Sequence, residues 1–196
     1  MNRSPLAAVA LAVAGVLFFL YPAIRPSTDT AATLASMPWV LGHLFAMIGF
    51  ILVSLAVLAL YVRLQDRLAL RATVVTWIGA GLTLPYYGAE DFGLNVIAKH
   101  VPNAMELAEE FRYGPIAMSM FAAGLLLLGV GTVMAAVVVW RSGVLAKWSW
   151  TPLALGFALF IPQFFGPYSL RIAHGALIAI GGLWAAFEMM RAPRAK

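Results

Sequence analysis

The stretch Tyr86-Tyr87-Gly88-Ala89-Glu90-Asp91-Phe92-Gly93 sets two adjacent carboxylates inside an apolar, aromatic run. Desolvation disfavours the charged form of such an acid, and a second carboxylate alongside adds to the effect. One of the pair is therefore expected to hold a proton at neutral pH. Such a group can protonate a poor base, including an alkene or an epoxide, and aromatic faces can stabilise the cation that results. Neighbouring helical residues point about 100° apart, so only one acid can face a site squarely. Glu90 is favoured, because it shares a helix face with Tyr86 and Tyr87 at i−4 and i−3. Asp91 or His43 would then orient or recharge it.

The elements that position these groups follow from composition. The chain has 196 residues, 63% hydrophobic and 11% charged, against about 25% charged in a soluble domain. Its apolar residues fall in runs long enough to span a bilayer. With no cysteine, disulfides, thiolate metal sites and cysteine nucleophiles are excluded. The net charge of +5 does not suggest nucleic acid, because the basic residues sit at the ends of apolar runs, where topology explains them. Arg3 before the run Leu6–Leu20 could open a secretory signal. No small-x-small cleavage site follows it, and a retained helix is the expectation.

Six spans are predicted: Leu6–Tyr21, Pro38–Val62, Ala72–Ala98, Pro115–Trp140, Trp150–Phe165 and Leu170–Met190. The expected fold is a single domain over residues 1–196, an all-α integral membrane bundle of six transmembrane helices. Arg3, Arg63, Arg67, Arg71, Arg141, Lys147, Arg191, Arg194 and Lys196 fall on one side, leaving four of the 13 basic residues for the other. The positive-inside rule then puts both termini in the cytoplasm. Lys99 to Gly114, with Glu106, Glu109 and Glu110, reads as a short amphipathic helix at the outer surface. Glu188 and Arg191 are spaced to pair at i+3. Leu84-Pro85-Tyr86-Tyr87-Gly88 is echoed by Ile161-Pro162-Gln163-Phe164-Phe165-Gly166, each near the outer end of an odd-numbered span.

This topology brings the unusual residues to one level. His43 lies near the outer end of the second span, Glu90 and Asp91 in the outer part of the third, and Arg171 and His174 in the first outer turn of the sixth. Arg112 and His100 belong to the outer loop. One site is expected there, a cavity between the second, third and sixth spans. Its predicted catalytic residues are Glu90, Asp91, His43 and His174. Trp39, Tyr86, Tyr87, Phe164, Phe165 and Tyr168 would supply aromatic walls, and Arg112 and Arg171 would hold a polar head. Each has a plainer reading. The acid pair could end a span among headgroups, His43 and His174 could be packing residues, Arg171 could snorkel to lipid phosphate, and the aromatics could form an interfacial belt.

Size, helix count and an acid embedded among aromatics resemble the small bacterial integral membrane terpene cyclases. That resemblance implies a proton-initiated cyclase or isomerase of a terpenoid in the plasma membrane, using intramembrane acids and no cofactor. Glu90 and Asp91 are the positions onto which the acid role would carry. The chain lacks an aspartate-rich diphosphate-binding motif, which argues against ionising a prenyl diphosphate. Two other classes remain open from the residues. His43 and His174, on different helices at similar depth, could bind a b-type haem. Intramembrane acids and histidines could also form a proton relay in a small transporter. The Glu-x-x-His signature of di-iron bundles is absent, and no metal is expected. The expected partners are the bilayer and a hydrophobic small molecule.

Overall fold

A computed structural model describes residues 3–191. It consists of nine α-helices with no strand among those residues: α1 (Arg3–Ile24), α2 (Ala31–Leu34), α3 (Met37–Leu64), α4 (Arg67–Gly88), α5 (Leu94–His100), α6 (Ala104–Tyr113), α7 (Pro115–Ser142), α8 (Thr151–Ala158) and α9 (Tyr168–Arg191). A π-helical turn, Ala89–Gly93, joins α4 to α5, so that Arg67–His100 runs as one long helical segment. Five helical segments are long and apolar enough to cross a membrane. Their outward faces are apolar too, with Ile51, Leu55, Leu126, Val130 and Ile180 exposed. A surface of that kind suits hydrocarbon rather than water.

The predicted fifth span, Trp150–Phe165, is not one helix. It is α8, a turn, and a 3₁₀ turn at Pro162–Phe165. Pro162 has no N–H to donate to the Ala158 carbonyl four residues back, and its ring crowds that carbonyl, which disfavours continuing α8 beyond Ala158. The other spans are longer than expected at their ends. The termini, with Arg194 and Lys196, lie outside the described residues.

Local chemistry sets the boundaries. Gln65 closes α3 in the left-handed region at φ 50°, and the Asp66 carboxylate then accepts from the Leu68 and Ala69 N–H groups at 2.7 and 3.0 Å to open α4. Such a cap satisfies N–H groups that would otherwise be orphaned at the helix start. Pro38, Pro115 and Pro152 each stand in a first turn, where a missing N–H costs nothing. Gly143, at φ +65°, ends α7.

The helices pack as a closed ring in the order α1, α3, α4, α7, α8, α9 and back to α1. Small residues make the seams. A Cβ on Gly79 of α4 would lie 2.7 Å from the Leu128 backbone nitrogen of α7, and Gly124 and Gly131 of α7 meet Thr83 and Thr76 of α4 as closely. The threonine hydroxyls return to carbonyls four residues back, Thr76 to Ala72 and Thr83 to Gly79, so close approach leaves no hydroxyl unpaired. Inside the ring, Phe18, Phe50, Phe157 and Phe160 meet with ring centroids 4.9–6.4 Å apart. They fill the middle of the bundle.

Candidate functional site

At the end of the bundle where α1 finishes and α3 begins lies a cavity of about 360 Å³. That volume is within the usual range for small-molecule sites. Tyr86, Tyr87 and Glu90 line one wall, as expected from their shared helix face, and His43 adjoins them from α3. Phe121 and Leu125 of α7, with Phe164 and Phe165 of the 3₁₀ turn, form an adjoining apolar wall, with Phe121 stacked on Tyr86. Arg25, Asp29, Arg112 and Arg171 bring charge to it. The cavity is therefore bounded by α7 and the 3₁₀ turn as well as by the second, third and sixth predicted spans.

The π-turn shapes the acid wall. Its wider winding interrupts the regular hydrogen-bond ladder, a feature often found at functional sites. The Glu90 carbonyl accepts from Trp39 Nε1 at 2.9 Å. The Glu90 carboxylate faces α6 and takes a two-point contact from Arg112, Nε to Oε1 at 2.7 Å and Nη2 to Oε2 at 2.8 Å. Both side chains are only 9% exposed. The third Arg112 donor, Nη1, reaches Asp29 Oδ2 at 3.0 Å, while Asp29 Oδ1 accepts from Arg25 Nη2 at 2.6 Å. The guanidiniums of Arg25 and Arg112 also lie 4.4 and 5.3 Å from the centre of the Trp39 ring. Burial works against the charge on Arg112, but the Glu90 and Asp29 carboxylates outweigh it and raise its pKa above the ordinary value. Arg25 is raised in the same way: burial opposes its charge, and Tyr21 and Asp29 favour it.

Four expected site residues lie elsewhere or act otherwise. Asp91 is buried but does not line the cavity, and neither of its carboxylate oxygens makes a hydrogen bond. Trp39 stands behind the charged cluster and supports it rather than facing the open space. The Tyr168 hydroxyl is turned to the Pro22 and Arg25 carbonyls at 2.7 and 2.6 Å. His174 lines a smaller pocket beside Phe160 that shares Tyr21, Arg25, Phe164 and Arg171 with the cavity, and its Nε2 donates to the Gly156 carbonyl at 2.7 Å, tying α9 to α8.

His43 gives its Nδ1–H to the Trp39 carbonyl at 2.9 Å, which turns its other ring nitrogen away from its own helix. The ring is packed against Trp39, Tyr21 and Tyr87. His43 and His174 thus line different pockets rather than one cavity in common. Among the described residues, no three His, Asp or Glu side chains gather as a metal site. Arg191 lies over the Phe187 ring at 5.0 Å rather than in an ion pair with Glu188.

The acid that sequence reasoning missed is Asp29. The signal was present, since Asp29 is the sole acid between Pro22 and Ser36 and stands four residues after Arg25. Phe121 and Leu125 were also missed. Their i, i+4 spacing on α7 is no different from that of any apolar helix face. Comparison with known proteins finds no family model that matches this chain, and no curated protein or solved structure that is similar to it.

Proposed function

We propose that this chain is a multi-pass plasma-membrane protein that holds a lipid-soluble small molecule in the aromatic cavity at its outer end. The cavity carries the reading: about 360 Å³, aromatic on two sides, with a charged cluster at one edge. Phe165, 86% exposed at the cavity's rim, marks a side entrance from the bilayer. Six crossings with cytoplasmic termini are part of the same proposal. The chain between Ser142 and Tyr168 has to return from one end of the ring to the other, and α8 sits in the ring between α7 and α9. The side holding most of the basic residues is then cytoplasmic.

The test is extraction and mass spectrometry of protein purified from its native membrane. One amphipathic molecule in stoichiometric amount is expected, and it should be lost when Leu125→Trp fills the cavity. An extract that is the same for both proteins would overturn the reading.

A second reading, acid-initiated cyclisation or isomerisation of the bound molecule, is favoured by one observation. The Glu90 residue lines the same cavity as Tyr86, Tyr87, Phe121 and Phe164, with Tyr86 stacked on Phe121 at 4.1 Å. In this reading a small displacement of α6 frees Glu90 from Arg112, the carboxylate takes a proton from water and passes it to the ligand, and it takes a proton back when the resulting cation collapses to product. Glu90→Gln should then abolish turnover while the ligand is still retained. Full activity in that variant would sink the catalytic role and leave the binding role standing.

A further inference from the structure

The three guanidiniums that line the cavity differ in their partners. Arg25 and Arg112 share the two carboxylates present, Asp29 and Glu90. Arg171, from the first turn of α9, has no carboxylate partner and makes no hydrogen bond among the described residues. Its Nε is buried and unbonded, and its guanidinium lies 5.3 Å from the Phe164 ring centre and 5.9 Å from that of Tyr168. Arg25 Nε and the Tyr87 hydroxyl are also buried without a hydrogen-bond partner beside the same space. The wall therefore holds one positive charge more than it neutralises, and three polar atoms without partners in the protein.

Buried polar groups are almost always satisfied, so several orphans around one cavity imply a ligand that completes them. A cation stacked on aromatic rings is partly stabilised by them, but stacking supplies no hydrogen-bond acceptor to the guanidinium edge. That edge is suited to two oxygens of a carboxylate or phosphate. The remainder of the lining offers nothing of the kind: Met118, Phe121, Leu125, Ile161 and Phe164 are apolar.

We propose that the occupant of this cavity is an amphiphile with an anionic head, a carboxylate or phosphate bound by Arg171, and an apolar body that lies against Phe121, Leu125 and Phe164. This rests on the binding reading above and adds the ligand's chemical class to it. Arg112 does not compete for the head, because Glu90 and Asp29 already take its donors, and of Arg25 only Nε is left without a partner. The whole cavity amounts to about a dozen water volumes, enough for a small head and a medium-length alkyl chain or a short isoprenoid. The head comes either from a free amphiphile or from a bilayer phospholipid entering past Phe165.

The experiment titrates the purified full chain, in neutral detergent, with dodecanoate, dodecyl phosphate and dodecanol, following binding by native mass spectrometry. The two anions should bind more tightly than the alcohol. Losing a hydrogen bond to a charged group costs about 1.5–3 kcal/mol, so Arg171→Gln should weaken dodecanoate binding about ten- to a hundredfold. Dodecanol binding should be unchanged, and Arg171→Lys should keep most of the preference. If Arg171→Gln does not fold, the anion-over-alcohol preference of the native chain and the lysine variant still decide.

Repeating the titration in phosphatidylcholine nanodiscs with and without phosphatidylglycerol separates the two sources. Competition by phosphatidylglycerol assigns the head to a bilayer lipid, and undiminished dodecanoate binding assigns it to a free amphiphile. Equal binding of anions and alcohol, unaffected at Arg171, would overturn the anionic head while leaving the cavity reading intact. Binding of none of the three would overturn both.

Discussion

Replacing Arg112 with Met tests whether the charged cluster is a structural unit. The substitution removes two hydrogen bonds to Glu90, at 2.7 and 2.8 Å, and one to Asp29, at 3.0 Å. The Asp29 contact counts for little, because that carboxylate is 39% exposed and such pairs contribute about 0–1 kcal/mol. The Glu90 contact dominates. With both partners 9% exposed, removing the arginine strands a carboxylate in a protein interior, at a cost of about 3–5 kcal/mol. By the size scaling for chains of this length, that corresponds to a fall in melting temperature on the order of 10 °C. Glu90→Gln leaves the opposite charge stranded and should fall as well, but by less, because Arg112 keeps Asp29. The double variant Glu90→Gln, Arg112→Met leaves no unpaired charge and should be more stable than the sum of the single effects. The assay is thermal unfolding in a neutral detergent, followed by helical circular dichroism, for the four proteins of the cycle. Additive single effects, or an Arg112→Met variant that melts with the wild type, would show that α6 is not anchored to the π-turn through this pair.

Two further substitutions probe the scaffold. Gly79→Ala should destabilise by about 1–3 kcal/mol, because the new methyl meets the Leu128 backbone nitrogen at 2.7 Å, whereas Gly81→Ala points into open space and should melt at or above wild type. Equal melting of the two would contradict the α4–α7 seam. Asp91→Asn should leave the melting temperature unchanged or raise it, since neither carboxylate oxygen has a partner to lose. A drop of about 10 °C or more would mean that the acid holds a partner essential to the fold.

How much of this was legible in the sequence depends on the length scale of the cause. Membrane character and the limits of the long helices follow from local composition: Pro115 opens α7, and the Asp66 cap follows the close of α3. The fifth predicted span is interrupted for a local reason as well. Its hydropathy matched a crossing, but Pro162 breaks the hydrogen-bond ladder partway along. The echo between Leu84–Gly88 and Ile161–Gly166 fails as a structural repeat for a related reason. Pro85 is absorbed within α4, while Pro162 starts a 3₁₀ turn. Even so, Tyr86, Tyr87, Phe164 and Phe165 from the two stretches do meet around one cavity.

The site was legible in position and not in pairing. Depth along each helix is a one-dimensional quantity, and it brought Glu90, His43, Arg112 and Arg171 to one level. Which arginine meets which acid is decided by azimuth and by the path of the connecting segments. The π-turn sets the azimuth of Glu90, and the Pro22–Ser36 connection carries Asp29 over the cluster. The sequence therefore shows a surplus of charge near the cavity without showing where it is neutralised. In the structure the acids go to Arg25 and Arg112, and of the three arginines lining the cavity Arg171 has no carboxylate partner among the described residues. The residue first assigned a general polar-head role beside Arg112 thus becomes the specific one, because its neighbour was already engaged.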